Sequence, residues 1–96
     1  MNQVAVALTC PETVAWVKDA DCIIVVNERR GESHILRGEE AALWSWLMLA
    51  YPYPKLARLL AELLALPPAE AKRQLAVFLQ GWRIAGLLEE AERPHG

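Results

Sequence analysis

An α+β fold, with a three-stranded antiparallel sheet followed by a three-helix bundle of winged helix-turn-helix type, is what the sequence predicts. Three observations predict it. β-Branched and alternating stretches are confined to the first third of the 96 residues, helical periodicities fill the rest, and one strongly apolar segment joins the two. That joint runs from Gly31 to Ala50, GESHILRGEEAALWSWLMLA. It starts as a strand, Ser33-His34-Ile35-Leu36, passes Arg37-Gly38 and becomes a helix in which Ala41 to Ala50 hold a single polar side chain, Ser45. A helix apolar on nearly every side needs cover on nearly every side, which predicts a central position.

Composition bounds the rest. The length suits one domain near the lower end of what a single core stabilises. An apolar fraction of 54%, with four Trp, two Tyr and one Phe, supplies that core without metals or disulfides. Twelve acids against ten bases leave a net charge of −2, the opposite sign from the usual nucleic-acid footprint. Two cysteines are too few for a disulfide framework. The N-terminal apolar run lacks a basic flank and is too short for a span, and no other stretch is long enough. These features predict a soluble, cytoplasmic protein that contacts neither membrane nor nucleic acid.

Met1–Thr13 reads as an N-terminal arm, ordered or loose, in which Val4 to Leu8 can add a strand before Pro11 interrupts. Val14 to Lys18 alternates as a first strand of the sheet. Asp19-Ala20-Asp21 is a turn, because Asp bonds its own backbone there. Cys22 to Val26, β-branched and bounded by turn residues, is the clearest strand. Asn27 to Glu32 forms a charged hairpin loop in which Gly31 supplies a positive φ. Ser33 to Leu36 returns as the third strand, at an edge, and carries no Pro, Lys or bulge signal against pairing.

The second helix has Pro54 in its first turn and a stripe at Leu56, Leu59, Leu60, Leu63 and Leu64. Leu66-Pro67-Pro68 ends it and opens a third helix reaching Gly86, with a core stripe of Ala71, Leu75, Phe78, Leu79 and Trp82. Arg73, Val77, Gln80 and Ile84 share another line, either a solvent face with two stray apolar residues or one wall of a groove beside the open strand. Leu87-Leu88 can pack back on the core. Glu89–Gly96 reads as a frayed tail, which leaves residues 14–88 as the folded domain.

Chemistry finds little footing. Cys10, Cys22, His34 and His95 lack the close spacing of a zinc site, and Cys22 reads better as a small core residue. His34 has no nucleophile motif beside it. Glu39 and Glu40 follow Gly38 at a helix start, where carboxylates complement the dipole. All four Trp residues read first as core packing. Arg29-Arg30 is a solvated turn or, with Lys72, Arg73 and Arg83, thin support for a DNA-contacting wing. No cofactor and no catalytic residue is expected.

The order of parts resembles the PqqD-like family over Val14 to Leu88. The features that carry it are the strand pair, Gly31 in a charged loop, His34 and Leu36 in the returning strand and Glu40-Ala41-Ala42-Leu43-Trp44 opening a helix. A Leu-striped second helix and a long third one ending Ala85-Gly86-Leu87-Leu88 complete it. That resemblance implies a non-catalytic recognition element for ribosomally made, post-translationally modified peptides. Such a protein takes a precursor's leader segment as an extra antiparallel strand and presents it to a maturation enzyme, a radical SAM enzyme or a leader peptidase. Carried over, the peptide-binding residues are Ser33, His34, Ile35 and Leu36 on the strand, with Arg73, Val77, Gln80 and Ile84 as the helix wall. Arg37-Gly38 departs from the commoner Asn after the Leu, and the unusually apolar first helix leaves room for another partner or a homodimer. A winged-helix DNA-binding or dimerisation module is the alternative.

Overall fold

A computed structural model describes residues 6–92, and the side chains of residues 8–90. Eight elements follow in order: β1 (Val6–Thr9), β2 (Val14–Asp19), β3 (Cys22–Asn27), β4 (Glu32–Arg37), α1 (Glu39–Met48), α2 (Tyr53–Leu64), α3 (Pro68–Ile84) and β5 (Glu89–Glu92). The antiparallel meander β2-β3-β4 forms one sheet, and β1 pairs antiparallel with β5 in a second, two-stranded one. His95 and the ends of both terminal segments lie outside the described residues.

Period-two alternation builds the main sheet. In β3, Ile23, Val25 and Asn27 are buried on the helix-facing side, while Cys22, Ile24 and Val26 are half-buried on the other. The register places Val25 opposite His34, Ile23 opposite Leu36, and Ile24 opposite Ile35. Gly31 has a φ of 67°, as the hairpin turn between β3 and β4 requires. Cys22 therefore lies on the outer face, not in the core. The sequence reading missed this because a continuous β-branched run does not announce which face is covered.

Helix α1 starts after Gly38 with Glu39 and Glu40 in its first turn and stops at Met48, two residues short of the expected end. Leu43 and Trp44 are fully buried, residues 45–48 are half-buried, and Leu49 and Ala50 are exposed in the turn that follows. Its cover is thus one-sided at the C-terminal end. In α2 the buried side chains are Leu56, Ala57 and Leu60, whereas Leu63 is exposed. α3 buries Ala71, Leu75, Leu79 and Trp82, with Phe78 packed at the margin. Trp44 and Trp82 meet edge to face at 5.3 Å between ring centroids, tying α1 to α3 at the centre. Leu87 and Leu88 close the core beneath them.

Trp16 is an exception to the core reading of the four Trp residues, being 42% exposed on β2. Glu89–Glu92, assigned from the sequence to a frayed tail, instead aligns with Val6–Thr9, and Arg83 holds Glu90 at 2.9 Å. Leu8 and Cys10 pack against the core beside them. Burial, with the nearby Glu89 carboxylate, pushes the Cys10 thiol pKa up. No helix among the described residues is long and apolar enough to cross a membrane.

Candidate functional site

Strand β4 is an edge. It pairs with β3 on one side, and among the described residues no strand pairs with it on the other. Unpaired N–H and C=O groups along Ser33 to Leu36 form a template for another backbone. Alternation sends His34 and Leu36 toward the helices and Ser33 and Ile35 to the outer face. Leu36 is buried, His34 is half-buried, and Ile35 is 56% exposed. His34 Nε2 and Trp44 Nε1 are buried without a hydrogen-bond partner, a costly condition for any buried polar atom.

Side chains of the β3–β4 hairpin hold the end of α3. Asn27, 3% exposed, donates from Nδ2 to the carbonyl oxygens of Ala85 (3.2 Å) and Gly86 (3.3 Å). Its Oδ1 accepts from the Arg30 N–H at 3.3 Å. Arg30 Nη1 donates to Ile84 O at 3.0 Å. Carbonyls that a helix C-terminus leaves without partners are thus satisfied from the hairpin. Elsewhere β4 packs beside α1 and α3 beside α2, while β4 and α3 make at most marginal backbone contact. The end of β3 and the hairpin turn are therefore joined to the end of the long helix, while β4 itself is not packed along it.

Arg73, Val77, Gln80 and Ile84 lie along one exposed line of α3, about opposite its buried stripe at 3.6 residues per turn. Val77 and Ile84 are each 67% exposed. Arg73 is engaged with Glu70 one turn earlier, Nη2 to Oε1 at 2.6 Å. Among the described residues, no hydrogen bond or ion pair joins this line to Ser33, His34, Ile35 or Leu36. An apolar groove of about 350 Å³ elsewhere, lined by Ala57, Ala61, Leu66 and Pro68 with Arg58 and Lys72 beside them, belongs to α2 and the start of α3.

Sequence reasoning missed Asn27 and Arg30. The signal for Asn27 was present: a polar residue in phase with Ile23 and Val25 belongs on the buried face of the strand. Arg30 carried no such signal, since nothing in a charged loop tells which guanidinium reaches a distant helix end. No three His, Cys, Asp or Glu side chains among the described residues group as metal ligands.

These parts, a three-stranded meander followed by three helices, define a small α+β fold in which β4 is one of the two edges of the sheet, in the order implied by the resemblance to the PqqD-like family. Two solved structures share it. TbiB1 in complex with the TbiA(beta) leader peptide superposes with a TM-score of 0.77 at 18% identity, covering 83% of this chain and 93% of that one. Lasso peptide synthetase B1 complexed with the leader peptide gives a TM-score of 0.77 at 15% identity, covering 85% and 96%. No protein-family model matches the chain, and no curated protein matches it.

Proposed function

We propose that this chain binds the leader segment of a ribosomally synthesised precursor peptide and delivers it to a modifying enzyme, without catalysing a reaction itself. The open edge of β4 is the observation that carries the reading. A leader laid antiparallel along Ser33 to Leu36 gains affinity from main-chain hydrogen bonds and specificity from alternate side chains. Its inward side chains meet Leu36 and His34, whose buried Nε2 needs a partner. The exposed line Arg73, Val77, Gln80 and Ile84 lies opposite the buried stripe of α3. It becomes a helix wall only for a leader segment that continues past β4 and over that helix, where the two exposed apolar side chains gain cover. The fold shared with two chains solved with leader peptides supports the same reading.

The enzyme served is a radical SAM maturase or a leader peptidase, for which the bound leader acts as a handle. DNA binding gains no support, because Arg30 of the would-be wing is engaged with Ile84 O.

Titration with fluorescent synthetic leader segments of ribosomal precursor peptides tests the proposal. Saturable binding with a dissociation constant in the micromolar range or tighter is expected. Ile35→Pro should abolish it while far-UV circular dichroism keeps its helical signal. A folded Ile35→Pro variant with an unchanged titration would overturn strand addition.

A further inference from the structure

Strand β2 has the least cover of the three strands in its sheet. Trp16 and Lys18 share cross-strand rows with the buried Val25 and Ile23 on the helix-facing side, yet both are exposed, Trp16 at 42%. Val14, at the start of that face, is buried in the core, so the helical layer covers only this end of β2. Its outer face is bare as well, with Ala15 exposed and Val17 at 56%. Its lateral edge is open too, since among the described residues β2 pairs with β3 alone. From Ala15 to Lys18 the strand is open on both faces and along one edge, a template for association.

We propose that β2 pairs antiparallel with β2 of a second copy about a two-fold axis through Val17, joining two three-stranded sheets into one of six strands. The sequence of the strand, VAWVKD, is complementary to itself in this register. Val17 meets Val17 on the outer face. Trp16 lies opposite Lys18 of the second copy, twice by symmetry, which sets a cation beside each indole. Ala15 stands opposite Asp19, so no two like charges face one another. The core covers only the Val14 end of β2, and the axis falls beyond it at the exposed Val17. A strand pair of this length is a small interface, so the dimer is a weak, concentration-dependent one. The opposite edge, β4, stays open, so dimerisation does not rest on the peptide-binding reading and is testable without any peptide.

Light scattering on the unmodified chain should show the mass rising from one chain toward two as concentration increases. Val17→Lys places two ammonium groups on the axis and should move that rise to at least about tenfold higher concentration, with an unchanged circular dichroism spectrum. In a Cys10→Ser, Cys22→Ser background, Val17→Cys should form a disulfide-linked dimer on mild oxidation. Directly opposed Cα atoms lie about 4.5–5.5 Å apart, within the about 4.4–6.8 Å that a disulfide spans. Ile35→Cys, equally exposed on the other edge, should not cross-link. A single-chain mass at every concentration would overturn the proposal. So would a Val17→Lys variant that dimerises like its parent, or cross-linking through Ile35→Cys in place of Val17→Cys.

Discussion

Asn27 Nδ2 donates to Gly86 O at 3.3 Å, and a Cβ placed on Gly86 would stand 2.7 Å from that same nitrogen. Strand end and helix exit therefore fit only while residue 86 has no side chain. The φ of 78° at Gly86 makes the same demand independently.

Gly86→Ala should accordingly destabilise the fold by about 1–3 kcal/mol, through the clash and the positive φ together. Asn27→Ala should cost a similar amount, about 1–3 kcal/mol, by leaving the carbonyls of Ala85 and Gly86 without their donor. Urea denaturation measures both. The double variant should lose less than the sum, because the two changes act on one contact. Full additivity would show that the contact is not shared.

Ala65 caps α2 in the left-handed region, at φ 55° and ψ 49°, with the Leu66 N–H bonded to Ala61 O at 3.0 Å. This is a position where glycine is ordinarily favoured. Ala65→Gly should stabilise the domain by about 0.5–1 kcal/mol, seen as a higher melting temperature, because relief of the strain outweighs the added chain entropy. A lower melting temperature would contradict it.

Arg73 is held by Glu70 at an exposed position, so the pair adds little to stability, about 0.2–0.5 kcal/mol. Glu70→Gln should release the guanidinium and tighten binding of an acidic leader about two- to threefold. Arg73→Glu should weaken that leader more than one whose carboxylates are neutralised. Equal effects on both peptides, read by fluorescence titration, would remove Arg73 from the helix wall.

Cys10 should be slow to alkylate in the folded protein, since burial and Glu89 raise its thiol pKa. For an acid whose folded pKa lies above the unfolded value, the stabilising contribution is present below the unfolded pKa. It is lost as pH rises through the folded one. Stability should therefore fall above the ordinary thiol range, and Cys10→Ser should flatten that part of the curve. Iodoacetamide labelling followed against pH checks the titration directly.

Much of this architecture was legible from residue order alone. β-Branched alternation located the three strands of the meander. The phase of the leucines located α2, and the unprotected run Ser33 to Leu36 marked the edge. Trp16 was not legible, because an indole in an alternating strand reads as core unless one knows that the helices end before reaching it. The β1–β5 pair was hidden for a different reason: Glu89-Glu90-Ala91-Glu92 has no strand-like composition, and its partner supplies the register. On α3, periodicity gathered Arg73, Val77, Gln80 and Ile84 into one line. It gave no sign that Glu70 already engages Arg73, or that Asn27 and Arg30 bind the far end of that helix.

The most direct test of strand addition is amide hydrogen exchange across Glu32 to Arg37, with and without saturating leader peptide. Alternate amides of β4, those facing away from β3, should slow by roughly tenfold or more when the leader binds. A leader that binds while every β4 amide exchanges at its free rate, with protection arising on α2 or β2 instead, would contradict it.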